Sequence, residues 1–301
     1  MKALLICPGE RPSVPLFSEL APLSNLCLLG QSLLEYWLSS LATGGVKEIT
    51  ILSHDRSEYV RALVGDGARW GLKVEVIEES RELTPAQALL KYPESISPSP
   101  LTNGVAVLDH FPGSPEQPIF ASYASCFAAL HAWLPHATTP DRVGIRQIRE
   151  NVWVGLRSRI APTAQLHAPC WIGKNVFIGE RAIVGPNAII EDNSFIESDV
   201  QVLTGHIGSD TFVGQFAELR ESFAWGNTLV NWKLGSAAKV PDSFLLCALR
   251  QPKQPMTGGW MSRMARLCAR NKEDVQLIWK HLLMNKEADI EITKSVERSS
   301  Q

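Results

Sequence analysis

The chain has 301 residues, and 29 Lys and Arg against 31 Asp and Glu give a formal net charge of −2. At roughly 100–200 residues per domain, this length predicts more than one domain. A content of 45% apolar and 20% charged residues excludes a disordered chain. A near-neutral balance also argues against a dedicated nucleic-acid binder, so we expect no nucleic-acid partner.

The cysteine and hydropathy patterns point to a cytoplasmic protein. Its six cysteines show no metal-ligand spacing and are expected to be reduced and mostly buried: Cys7, Cys27, Cys126, Cys170, Cys247 and Cys268. The longest mostly apolar run, Ile119–Leu134, is shorter than the ~20 residues of a membrane-spanning helix and contains His131. The N-terminus lacks a signal-peptide pattern. We therefore expect neither secretion nor a membrane span.

Residues 1–150 alternate between strand-like and helix-like segments. Strands are predicted at Lys2–Cys7, Val46–Ser53, Leu72–Glu78 and Gly104–Asp109. Helices are predicted at Gln31–Leu41, Ser57–Val64, Thr84–Tyr92 and Phe120–Leu134. This alternation is typical of a parallel sheet with right-handed crossovers, so the first domain is predicted to be a Rossmann-like α/β domain.

Residues 151–249 follow a period of six. Aliphatic residues recur at Val154, Ile160, Leu166, Ile172, Ile178, Val184, Ile190, Ile196 and Val202. After one five-residue step the pattern resumes at Ile207, Val213, Leu219 and, with an aromatic residue, Trp225. Such a period predicts a left-handed parallel β-helix, in which three hexads form one triangular coil around an aliphatic interior. Glycines that follow several aliphatic positions are expected to permit unusual corner dihedrals. The run is long enough for about four coils.

Residues 250–301 form a tail of different composition. Trp260–Asn285 is predicted to contain one or two amphipathic helices, with Trp260, Met261 and Met264 on one face and Arg263, Arg266 and Arg270 on another. This basic helix could contact an anionic membrane surface peripherally. The alternative is that it packs on the adjacent domain as a cap for the coil stack.

The N-terminal segment resembles the sugar-1-phosphate nucleotidyltransferases, the NDP-sugar pyrophosphorylases, whose domain can be followed by a β-helix. That family begins with a strand and a loop of the form G-x-G-T-R-L, followed by P-K-P-L and G-K-P-L-[IL]-[ED]-Y. The matching positions here are Met1–Ile6, Gly9, Pro22, Gly30, Leu33, Leu34, Glu35 and Tyr36. The hexads likewise resemble the hexapeptide-repeat transferases. The resemblance implies a nucleotidyltransferase-type domain, a nucleotide or sugar-phosphate ligand and a place in sugar-nucleotide or polysaccharide biosynthesis.

The departures from that family pattern fall where the chemistry would occur. Pro8, Gly9, Glu10 and Arg11 form the degenerate nucleotide-binding loop, and Arg11 replaces its second glycine. Ser13 stands at the catalytic Arg position and Leu23 at the signature Lys position. Asp109 stands at the position of the family's metal-binding Asp, although Leu108 replaces the Gly before it, so the resemblance implies Mg²⁺ as the cofactor if the domain is active. The alternative is a strand-end carboxylate that caps a loop.

Three functions therefore remain open from the sequence. The first is a member with weak or no pyrophosphorylase activity, which binds a ligand or serves in assembly. The second is an active sugar-1-phosphate nucleotidyltransferase. The third is a hexapeptide acyltransferase that uses acetyl-coenzyme A, with His206, at the register break, as the candidate general base and His167 as a weaker one.

The β-helix also predicts self-association. Aromatic residues occupy hexad positions that can point outward, and they would expose more apolar surface than a monomer usually leaves in water: Trp153, Trp171, Phe177, Phe195 and Phe212. Because oligomers usually close with point symmetry, we expect a homo-oligomer, a trimer first and a dimer as the alternative.

Overall fold

A computed structural model describes residues 1–95, 104–137 and 144–250. The chain divides into two compact units, Met1–Gln251 and Pro252–Gln301. The second unit lies outside the described residues, and so do the predicted tail helices. Among the described residues, no helix is long and apolar enough to cross a membrane.

The first part of the chain contains the predicted α/β alternation. In chain order it comprises β1 (Lys2–Ile6), α1 (Pro15–Leu20), a 3-10 helix (Leu23–Asn25), β2 (Cys27–Leu28), β3 (Gln31–Ser32), α2 (Leu33–Thr43), β4 (Glu48–Ser53), α3 (Ser57–Val64), a 3-10 helix (Ala68–Trp70), β5 (Lys73–Glu78), α4 (Pro85–Lys91), a 3-10 helix (Pro93–Ser95), β6 (Val105–Val107) and α5 (Tyr123–Trp133). Helix α2 begins two residues later than predicted because Ser32 and Glu35 form a reciprocal capping box.

The four longer strands form one parallel sheet in the order β5-β4-β1-β6. Strand β1 is buried from Ala3 to Ile6, as expected for a strand covered on both faces. The chain first builds the sheet outward from β1 to β5 and then returns to add β6 on the other side of β1. The strand order therefore reverses at β1, and the carboxyl ends of β1 and β6 border the crevice where such sheets bind ligands.

The second part contains the hexapeptide β-helix. Its strands are β7 (Ile145–Arg149), β8 (Val152–Gly155), β9 (Arg159–Ile160), β10 (Gln165–Leu166), β11 (Cys170–Ile172), β12 (Phe177–Ile178), β13 (Ile183–Val184), β14 (Ala188–Ile190), β15 (Phe195–Ile196), β16 (Gln201–Ile207), β17 (Thr211–Val213), β18 (Glu218–Trp225), β19 (Thr228–Asn231), β20 (Ser236–Lys239) and β21 (Leu246–Ala248). Parallel stacking ends at β18, since β19, β20 and β21 pair antiparallel.

The coils stack into three faces. The first face contains β8, β11, β14 and the ends of β16 and β18. The second contains β9, β12, β15, β17 and β21, and the third contains β10, β13 and the beginnings of β16 and β18. The predicted aliphatic positions fill the interior, where Ile172, Ile178 and Val184 are fully buried.

The register of the last coil corrects the sequence prediction. Ile207 pairs with Ala224, which is fully buried in the interior. The interior position after Leu219 is therefore Ala224, five residues on, and not Trp225. Trp225 instead lies outside the coil, against the first part of the chain. The step at Val202–Ile207, where His206 lies, is therefore not the only register break.

The glycines of the hexads also have a different structural role from the predicted one, which was to permit unusual corner dihedrals. At Gly173 and Gly179 an added Cβ would lie 2.7 Å from the backbone nitrogen of Asp192 and 2.6 Å from that of Ser198, in the next coil. The left-handed corners are instead formed by residues such as Asn193 and Asp199, each with φ of 61°. Most of these glycines thus permit close stacking of coils.

The α/β part packs on the first face of the β-helix. Trp153, Trp171 and Phe223 project from this face and are buried in the same core cluster as Phe17 and Phe127. The rings of Phe17 and Phe223 meet edge to face at 5.2 Å. Trp153 and Trp171 are thus covered within the chain and do not supply the exposed surface expected from the sequence.

Candidate functional site

The candidate site lies at the carboxyl ends of β1 and β6. The loop after β1 carries Pro8, Gly9, Glu10 and Arg11, the residues predicted to bind a nucleotide. Asp109 follows β6 on the other side of the crevice and raises the pKa of the Arg11 guanidinium by its charge, although less than Glu82 does. The topology therefore brings the loop and Asp109 into one region.

Glu82 occupies the hydrogen-bonding groups of this loop. Its Oε2 accepts from the Gly9 N–H at 2.9 Å and from Arg11 Nη1 at 2.8 Å, while its Oε1 accepts from Arg11 Nη2 at 2.6 Å. This two-pronged guanidinium–carboxylate pair is the geometry in which Arg also binds phosphate. Sequence reasoning missed Glu82, which precedes α4 and lies 73 positions from Gly9.

The ionisation states in the loop follow from these contacts. Burial opposes the charge on Glu82, but its bonds to Arg11 and Gly9 outweigh that effect and hold its pKa below the ordinary value. The bond to Glu82 likewise raises the pKa of Arg11. His54 packs against Gly9, where an added Cβ would lie 2.6 Å from its Nε2. Gly9 is therefore required for the close approach of this imidazole.

Ser13 and Leu23 supply no positive charge to the crevice. The Ser13 hydroxyl donates to the Phe120 carbonyl at 2.9 Å, and Leu23 is 1% exposed in the core. Arg56, on which the charge of the loop residue Glu10 acts, forms a two-pronged pair with Asp55 at 2.9 Å on both arms. Both arginines near the loop are thus held by carboxylates of the protein itself.

Asp109, the predicted metal-binding residue, lies against His110 at the edge of a cavity. Its Oδ1 lies 2.6 Å from His110 Nδ1, and both side chains line a cavity of about 420 Å³ beside Trp37. Mg²⁺ in such enzymes is bound by one or two carboxylates together with substrate phosphates. The described residues contain no cluster of three His, Cys, Asp or Glu side chains that could hold a metal, so a Mg²⁺ ion here would depend on Asp109 together with the phosphates of a bound ligand.

His206, the candidate base for acyl transfer, is fully buried between the two parts of the chain. Its Nε2 lies 3.2 Å from Oε1 of Glu191, a carboxylate that is also fully buried and that accepts from the Leu29 and Gly30 N–H groups. A general base must reach the acceptor's proton, and no acceptor can reach this imidazole in the described structure. His206 thus belongs to the contact between the two parts.

His167 lies apart from both arrangements. It is exposed directly after β10, and its backbone carbonyl closely approaches Gly185 of the next coil. Its backbone N–H donates to the Val184 carbonyl at 2.7 Å. The structure therefore gives its backbone a role in coil stacking and does not bring its side chain near His206 or Asp109.

Comparisons with known protein families match the two predicted parts. Residues 14–113 match the family "Nucleotidyl transferase", and residues 169–204 match "Bacterial transferase hexapeptide (six repeats)". The chain thus combines a nucleotidyl transferase-type segment with hexapeptide repeats, which confirms the resemblances read from the sequence. The loop residues Pro8–Arg11 lie just before the first matched range.

Two relatives share the name glucose-1-phosphate thymidylyltransferase. The protein from Streptomyces antibioticus is 30% identical over 90 residues, and that from Streptomyces griseus is 29% identical over 90 residues. In each case the aligned segment covers 30% of this chain and 25% of the relative. The similarity therefore spans only about a quarter of the length of these relatives.

Proposed function

We propose that this chain, in which hexapeptide repeats follow a nucleotidyl transferase-type segment, acts in sugar-nucleotide or polysaccharide biosynthesis without synthesising NDP-sugars at rates usual for that family. Its role is to bind a ligand or to serve in assembly. The observation that carries this proposal is the occupation of Gly9 and Arg11 by Glu82. A triphosphate and the Glu82 carboxylate cannot use these groups at the same time.

Two positive charges that would stabilise the transition state of nucleotidyl transfer are missing from this chain. Phosphoryl and nucleotidyl transfer depend on cations and N–H groups placed where negative charge develops. Ser13 and Leu23 stand where the family pattern has an Arg and a Lys, and neither can carry positive charge. Losing one electrostatic stabiliser typically costs ~10²–10³-fold in rate, so losing two could exceed ~10⁴-fold.

The test is pyrophosphate release by the full chain with Mg²⁺. Nucleoside triphosphates are paired with sugar-1-phosphates, including thymidine triphosphate with glucose-1-phosphate because of the two named relatives. We expect no release above background. Release that disappears in Asp109→Ala would overturn the proposal and restore the active-enzyme function. Wild-type and variant must first show the same far-UV circular dichroism.

We further propose that the chain is a homo-oligomer, a trimer before a dimer. The second face of the β-helix supports this, because its partly exposed Phe177, Phe195 and Phe212 stack at centroid distances of 4.4 and 5.8 Å. Phe216 and Phe244 are 72% and 70% exposed. Light scattering at micromolar concentration should give a multiple of 33.2 kDa. A mass of one chain would contradict self-association.

A further inference from the structure

The carboxylate of Glu82 is placed as an anionic ligand would be. It receives one backbone N–H from the loop after β1 and both arms of the Arg11 guanidinium. Arg11 Nη1 also donates to the Gly9 carbonyl at 3.3 Å, which orients the guanidinium toward the loop. The charge of His54 additionally favours the ionised form of Glu82, through a smaller effect on its pKa than those of Arg11 and Gly9. The groups around Glu82 thus form an anion site that the protein fills itself.

We propose that Glu82 regulates the loop that the family resemblance assigns to nucleotide phosphates: its carboxylate closes the loop until a phosphate-bearing anion displaces it. The ligand would accept from the Gly9 N–H and take the two-pronged pair with Arg11 through two oxygens of one phosphate group. The inference rests on the proposed function, because Glu82 would regulate whether such an anion binds, while the lack of positive charge at Ser13 and Leu23 prevents turnover once it is bound.

The position of Glu82 makes this displacement feasible. Glu82 lies between β5 and α4, outside any helix or strand, so its side chain can leave the loop without breaking regular structure. The side chains of Arg11 and Glu82 are 31% and 28% exposed. Water therefore reaches both partners and can hydrate each of them when the pair separates. A dianionic phosphate can therefore compete with the carboxylate.

The surrounding charges limit which anions bind. Glu10 is exposed in the same loop, and the charge of Asp109 acts on Arg11 from across the crevice. Both carboxylates repel an anion, so we expect a monoanion to bind only weakly. We therefore expect pyrophosphate to bind better than inorganic phosphate, since its higher charge strengthens the attraction to the freed guanidinium.

The experiment measures pyrophosphate binding by calorimetry on the full chain. Variants Glu82→Ala and Glu82→Gln remove the competing charge, and Glu75→Gln on β5 is the control because it removes the same charge from an exposed position. The double variant Arg11→Ala with Glu82→Ala removes the guanidinium as well. Circular dichroism and melting temperature verify that each variant is folded.

We expect Glu82→Ala to bind pyrophosphate at least about tenfold more tightly than wild type, a change equivalent to ~1.4 kcal/mol. Glu82→Gln should show a smaller gain because its amide still fills the space. The double variant should lose the gain. Unchanged binding in folded Glu82→Ala and Glu82→Gln would overturn the inference. An equal gain in Glu75→Gln, or a gain that survives in the double variant, would also overturn it.

The pyrophosphate-binding experiment and the test of the proposed function can fail independently of each other. Pyrophosphate release by wild-type protein would contradict the proposed function, whatever the variants bind. If the Glu82 variants bind pyrophosphate no more tightly than wild type, the closure of the loop by Glu82 is contradicted, even if the wild type shows no turnover. Tighter binding in Glu82→Ala without pyrophosphate release would support both.

Discussion

Replacing Glu191 should strongly destabilise the contact between the α/β part and the β-helix. Leu29 and Gly30 both have positive φ, 54° and 74°, so their adjacent N–H groups form a small nest for an anion. The Glu191 carboxylate fills this nest and also contacts His206; Glu191, Leu29 and His206 are fully buried, and Gly30 is partly buried. Glu191→Ala would leave two N–H groups and an imidazole without their acceptor.

The expected cost follows from those lost partners. Each buried N–H without an acceptor costs ~1–3 kcal/mol, and Glu191→Ala removes the acceptor of two N–H groups, one of them only partly buried, and the partner of His206. We therefore expect Glu191→Ala to lower the free energy of unfolding by about 3–5 kcal/mol. Glu191→Gln should lose about 2 kcal/mol because one amide oxygen still accepts. At ~2–4 °C per kcal/mol for a unit of this size, the alanine variant should melt at least about 6 °C lower.

The assay is urea unfolding at pH 7, followed by tryptophan fluorescence, since Trp171 is fully buried at the same contact. Glu180→Gln serves as the control, because that side chain is 66% exposed and pairs only with Arg181 in the described structure. The control should change stability by less than about 0.5 kcal/mol. A Glu191→Ala variant as stable as this control would refute the reasoning.

Two further predictions concern other parts of the described structure. Burial lowers the pKa of His131 to about 4, assisted by the charge of His206 and opposed by a backbone contact with Asn187. Because the unfolded chain then binds the proton more tightly, stability should fall by up to about 1.4 kcal/mol per unit as pH drops from about 6.5 to 4. Urea unfolding of His131→Gln should lack that part of the slope, and an identical slope would contradict the assignment. Gly173→Ala should lower the free energy of unfolding by about 1–3 kcal/mol, because its Cβ would lie 2.7 Å from the Asp192 nitrogen. An unchanged melting temperature would contradict the tight stacking of coils at Gly173.

The parts of the fold that follow local patterns were predictable from the sequence. The aliphatic hexad positions, such as Ile172 and Ile190, are recognisable because each coil repeats the same burial. The exception was Ala224, since a fixed period of six selects Trp225 and a second five-residue step leaves no mark in the composition. Periodicity therefore predicts the interior of a coil better than it predicts where a coil is shortened.

The contacts between distant segments were not predictable in this way. Trp153 and Trp171 point outward from their coils, as their hexad positions imply, but only the structure shows that the α/β part covers them. The pairing of Arg11 with Glu82 joins residues 71 positions apart, and no spacing rule links them. The sequence therefore identified the loop residues of the site, but it could not identify Glu82 as the residue whose carboxylate occupies the loop.

The burial of Trp171 and Phe223 in the same core as Phe17 limits how the two parts can diverge. The first face of the β-helix forms one wall of the α/β core. If either part were exchanged for that of a distant relative, the aromatic side chains would no longer fit together, and the buried Glu191 carboxylate would lose its hydrogen-bond donors. Changes on the two sides of this wall must compensate each other. We therefore expect the α/β part and the β-helix to tolerate exchange only together, although their segments match two separate families.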